Sequence, residues 1–121
     1  MKFAIFGVLA AVSMSACVSS PYRVASSFNG QDDASFKSIR LEHMKCVGST
    51  TRLYINGSSD VALLTKHVLS VCEPILNRLN QEVVSRGFSP AFAEGYVEKS
   101  RSEAETITTS LILDVKSKDA S

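Results

Sequence analysis

The stretch DVALLTKHVLSVCEPILNRLNQEVVSRG, residues 60–87, carries the strongest periodicity in the chain. Val61, Leu64, Val68, Val71, Cys72, Ile75, Leu79 and Val83 recur at spacings of three and four, which places them on one stripe of a long helix. Ser59 or Asp60 can accept from the orphan amides of its first turn, and Gly87 stands where a helix ends on a left-handed residue. Pro74 lies inside this stretch. It removes a backbone donor and crowds the turn before it, so a kink or break is expected near residues 70–73.

Outward from that helix, Asn56-Gly57-Ser58-Ser59 is the clearest turn in the chain, because Asn and Gly both tolerate left-handed backbone angles. The Asn56–Ser58 triplet also spells a glycosylation sequon, which turn chemistry explains without sugar. On the N-terminal side, Asp32 or Asp33 can cap a helix whose apolar face is Phe36, Ile39, Met44, Cys46 and Val47. Gly48 and Ser49-Thr50-Thr51 weaken its second half, and Leu53-Tyr54-Ile55 has the composition of a short strand. On the C-terminal side, Ser89-Pro90 pairs an N-cap with Pro at the first helical position. Ala91 to Thr106 then supplies helix formers, with Phe92, Tyr96, Ala104, Ile107 and Leu111 on one face. Residues 107–115 also alternate as a strand does. The expected fold is therefore an all-α, three-helix domain over residues 32–121, with an α+β fold ending in a strand near 107–115 as the alternative.

Folding the first two helices back at Gly57 brings the cysteines to comparable depth, since Cys46 is 11 residues before the turn and Cys72 is 15 after it. A disulfide there stapling an antiparallel helical hairpin closes a 26-residue loop. On the chain-entropy account it contributes about 3–4 kcal/mol, a large share of the stability of so small a domain.

The N-terminus has a different character. Met1-Lys2 is a short positive start, Phe3–Val12 is apolar but too short to span a bilayer as a helix, and Ser13, Ser15 and Ala16 are small. That order is the layout of a secretory signal peptide, here residues 1–16. Met14-Ser15-Ala16-Cys17 resembles the lipobox of bacterial lipoproteins, with Met14 where Leu is usual. The resemblance covers only these first 17 residues and implies cleavage before Cys17, acylation of that cysteine and anchoring in a membrane. It further implies the periplasmic side of the outer membrane, because Val18 rather than Asp follows the cysteine; a soluble periplasmic or secreted chain is the alternative. Cysteine arithmetic agrees. Three cysteines leave one thiol over, and lipid on Cys17 accounts for it if Cys46 and Cys72 pair in an oxidising compartment. Val18 to Gln31 is Ser-rich with Pro21 and Asn29-Gly30, and reads with Cys17 as a flexible tether over 17–31. The alternative is an arm in which Tyr22, Val24 and Phe28 dock on the domain.

Chemistry-bearing constellations are sparse. His43, Cys46, His67 and Cys72 have the composition of a zinc set, but His67 and Cys72 sit about 140° apart around a helix and roughly 7.5 Å along it, so the four do not converge. No metal or other cofactor is expected. Glu94, Glu98, Glu103 and Glu105 interleave with Lys99 and Arg101, the pattern of a solvated helix face rather than a catalytic acid and base. No G-x-S-x-G elbow and no phosphate-binding glycine loop occurs, so an enzyme is not expected. Cleavage before Cys17 removes Lys2 alone and leaves 12 basic against 12 acidic residues, which argues against nucleic acid as a partner. Phe88, Phe92 and Tyr96 follow a cap near helical spacing and are the candidate ridge for a protein partner; their other reading is as core. Beyond the lipobox, the chain is similar only to small exported helical proteins, a loose likeness that transfers no activity. The expected role is a non-enzymatic accessory or scaffold subunit of an envelope assembly. The alternative is a free-standing periplasmic binder or inhibitor of a small ligand or enzyme.

Overall fold

A computed structural model of the chain describes residues 20–56 and 60–120. The expected signal segment, the lipobox-like tetrapeptide with Cys17, and residues 57–59 of the expected turn lie outside these residues. Three helices follow one another, α1 (Gly30–Tyr54), α2 (Val61–Ser85) and α3 (Pro90–Ala120), preceded by a short 3-10 turn at Ala25–Ser27. No strand occurs among the described residues. The fold is the all-α one.

The start of α1 is set by Asn29 rather than by either aspartate. The Asn29 side chain accepts from the amides of Gln31 and Asp32, and the Asp32 carboxylate accepts from the Asn29 amide, a reciprocal capping box. Asp32 is thus the third residue of the helix and not its cap. Once begun, α1 runs through Gly48 and on through Leu53 and Tyr54, so the short strand is not formed. The Thr51 hydroxyl donates to the Val47 carbonyl within the helix (2.7 Å), which leaves that buried group no reason to leave it.

Asp60 caps α2, accepting from the Leu63 amide, and the helix continues unbroken through Pro74. The break expected there does not occur. Both Pro74 and Ser70 are exposed, so the Ser70 carbonyl that loses its usual donor faces water instead of the core. Gly87 closes the helix with φ +98°, a backbone angle that side chains rarely take. Ser89 then accepts from the Phe92 amide and opens α3.

α3 stays helical through residues 107–115, where the alternating pattern allowed a strand. The alternation resides in Ile107, Leu111 and Leu113, which are all exposed, whereas Ala104, Thr108 and Ile112 repeat every four residues and are fully buried. Burial follows the helical period. α2 is the central helix and packs along both neighbours, while α1 and α3 meet over a shorter line. The core falls into two clusters along the bundle. One, at the end where α1 starts, joins Phe36, Leu76, Leu79, Val83, Phe88, Ala93 and Val97. The other, toward the α1–α2 turn, joins Val47, Leu64, Val68, Cys72, Ala104 and Ile112.

Candidate functional site

Cys46 and Cys72 form a disulfide between α1 and α2, with their Cα atoms 5.9 Å apart. The Thr50 hydroxyl lies 3.6 Å from the Cys72 sulfur and 3.9 Å from that of Cys46, so the bridge sits in a buried, weakly polar setting. Both thiols are thereby spent, which removes them from any zinc set. The histidines go to separate places. His67 is exposed and meets the ring of Tyr54 edge-on at 4.8 Å, whereas His43 is buried in the bundle. Among the described residues, no three His, Cys, Asp or Glu side chains are grouped as a metal ion requires.

The three candidate partner-binding aromatics belong largely to the core. Phe88 is fully buried, and Phe92 and Tyr96 are half-buried against the same cluster. Phe88 and Phe92 stack at 4.4 Å, Tyr96 meets Phe36 edge-on at 5.2 Å, and Phe28 reaches in to Phe36 at 5.8 Å. An exposed ridge is not formed, because in a chain without Trp these rings are the bulk that fills this end of the bundle. The large apolar side chains that do face solvent lie elsewhere, among them Leu53, Tyr54 and Leu63 where α1 ends and α2 begins.

Part of the expected tether is instead a docked strap. Phe28 docks as an arm residue would, while Tyr22 and Val24 stay exposed. The residue that fastens the segment is Arg23. Its amide donates to the Gly87 carbonyl (2.8 Å), and its guanidinium donates to both oxygens of Asp32 (3.0 and 2.7 Å) and to the Arg86 carbonyl (3.1 Å). The same group lies 4.3 Å from the centre of the Phe88 ring, a cation–π contact. Asp32 is 1% exposed and also receives the Arg86 guanidinium (3.3 Å). Hydrogen bonding from Arg23 is the main reason that its carboxyl is lowered to about 2, against the opposing effect of burial. Glu82 is held low as well, first by the Ser35 hydroxyl and then by Arg86. Nothing in periodicity or composition pointed to Arg23. The spacing of Asn29 and Asp32, cap and third residue, was the one available signal that this end is built.

Between the two core clusters runs a polar seam. His43 on α1 falls between Phe36 and Val47, Glu73 on α2 between Cys72 and Leu76, and Ser100 on α3 between Val97 and Ala104. His43 is 1% exposed, and its Nε2 has no hydrogen-bond partner among the described residues. Burial pushes this imidazole below its ordinary value; Glu73 opposes that and Arg101 adds to it. Arg101 pairs with Glu73 and Glu98 at the seam's outer edge. A cleft of about 320 Å³ between α1 and α3 opens here, lined by His43 and Ser100 together with Lys37, Leu41 and Met44, and by Arg40 paired to Glu103 at 2.7 Å. Of the four glutamates on α3, Glu98 and Glu103 are thus ion-pair partners of arginines, and Glu94 and Glu105 are exposed. No protein-family model, no curated protein and no solved structure matches the chain.

Proposed function

We propose that the protein is a bacterial lipoprotein, held to the periplasmic side of the outer membrane by an acylated Cys17, and that it serves there as a non-enzymatic accessory or scaffold subunit of an envelope assembly. The observation that carries this reading is the Cys46–Cys72 bond. The chain has three cysteines, so that bond leaves Cys17 as the one remaining thiol, within a lipobox-like tetrapeptide behind a signal-like segment. A staple of this kind also belongs to an oxidising compartment. For a protein partner, the exposed Leu53, Tyr54 and Leu63 offer apolar contact at the end of the bundle remote from the strap. Intact mass of protein extracted from membranes without reductant tests the anchor. The expected species begins at Cys17, carries diacylglyceryl and N-acyl groups, and is two hydrogens lighter for the disulfide; an unacylated chain sinks the proposal.

The cleft between α1 and α3 favours a second reading, a free-standing binder of a small ligand, since charged Asp33, Lys37, Arg40 and Glu103 line it beside apolar Leu41 and Met44. Cross-linking in membranes separates the two. A scaffold subunit migrates in a stable larger complex, and a free-standing binder migrates as a monomer.

A further inference from the structure

We propose that the strap end of the bundle is held against the bilayer surface, with Tyr22 and Val24 as its contacts with the headgroup layer of a zwitterionic membrane. This placement rests on acylation of Cys17. Had residues 18–31 been free, the anchor would reach roughly 20 Å on average and over 40 Å when stretched. Arg23 shortens that leash. It is tied to Asp32 on α1, to the Arg86 carbonyl after α2 and to the Gly87 carbonyl in the α2–α3 turn, all at one end of the bundle. Only the five residues 18–22 then separate the anchor from the fastening point, and the six steps from Cys17 to Arg23 allow at most about 20 Å. The far end, where α1 finishes, lies a further 35–40 Å or so along the 25-residue helices.

The surface at the strap end suits that position. Pro21, Tyr22, Val24, Ala25 and Ser26 are exposed and uncharged, with Tyr22 at 44% and Val24 at 62%. The two arginines of this end are engaged with Asp32 and Glu82, so approach to headgroups strips water from no unpaired arginine. Tyrosine favours the membrane–water boundary, where its ring and its hydroxyl are each accommodated. After cleavage the chain has 12 basic and 12 acidic residues, so no net charge draws it flat onto such a membrane.

The chain contains no Trp, which makes a clean probe. Acylated protein bearing Tyr22→Trp or Leu53→Trp is reconstituted in phosphatidylethanolamine–phosphatidylcholine vesicles with brominated acyl chains, floated, and its fluorescence quenching measured. The Tyr22→Trp indole is expected to be quenched about twofold or more above that of Leu53→Trp, and adding Arg23→Ala should remove most of the difference. Protein that floats yet shows equal quenching at both positions overturns the placement alone. Protein that does not float overturns the anchor, and the placement with it.

Discussion

The two ends of the bundle are held together by different chemistry. At the strap end, aromatic rings fill the core and a set of charged hydrogen bonds around Asp32 closes over them. At the other end the core is aliphatic, with Val47, Leu64, Val68, Ala104 and Ile112, and a covalent bond takes the place of bulk. Small side chains bury little area each, so an end built from them gains most from a constraint on the unfolded chain. Stability at one end thus responds to pH and at the other to redox state.

The largest expected effect tests whether the aromatic end dominates. Phe36→Ala removes a fully buried ring that touches Phe28, Phe88 and Tyr96, and should cost about 3–5 kcal/mol in urea unfolding. Replacing Cys46 and Cys72 together by Ala should cost about 3–4 kcal/mol. Hydrogen exchange should rise more in residues 47–54 and 61–68 than at the strap end; uniform loss of protection would erase the distinction between the ends. Asp32→Asn should destabilise at neutral pH, with the penalty shrinking as the medium is acidified. The folded carboxyl is lowered from 3.8 to about 2, so its contribution is full above 3.8 and is lost as pH falls toward about 2. His43 supplies a second slope. Its folded value lies below 6.5, the unfolded chain therefore takes up the proton first, and stability falls as pH drops beneath 6.5; His43→Gln should flatten that part of the profile. The smallest effect is a gain. A Cβ at Gly48 meets nothing within 4 Å, and Gly48→Ala in the middle of α1 should add about 0.5–1 kcal/mol by thermal or urea unfolding.

The helices were legible because burial imposes its period on them. Leu64, Val68, Cys72, Leu79 and Val83 marked α2, and the comparable depth of Cys46 and Cys72 about Gly57 pointed to the staple that forms. Pro74 misled, because its cost depends on whether the freed carbonyl faces water, and spacing alone does not reveal which side of the helix is wet. The strap and the seam were hidden for a related reason. Arg23 earns its place through partners 9, 63 and 64 residues away, at Asp32, Arg86 and Gly87, and no local pattern records such pairings. His43 sits where an apolar residue continues the stripe of α1, so its burial was concealed by its own polarity. Phe88, Phe92 and Tyr96 had the right spacing for a ridge, and only the arrival of Phe28 and Phe36 shows which way they face.

Gly87 ties these observations to sequence drift. Its φ of +98° disfavours any side chain, and a Cβ there would stand 3.1 Å from Cδ of Arg23. Position 87 is therefore all but restricted to glycine, and position 32 is tied as firmly, because its buried carboxylate both holds Arg23 and closes the capping box on Asn29. In a related sequence, a change at 87 without loss of the arginine would be the mark of an arm that has come undone.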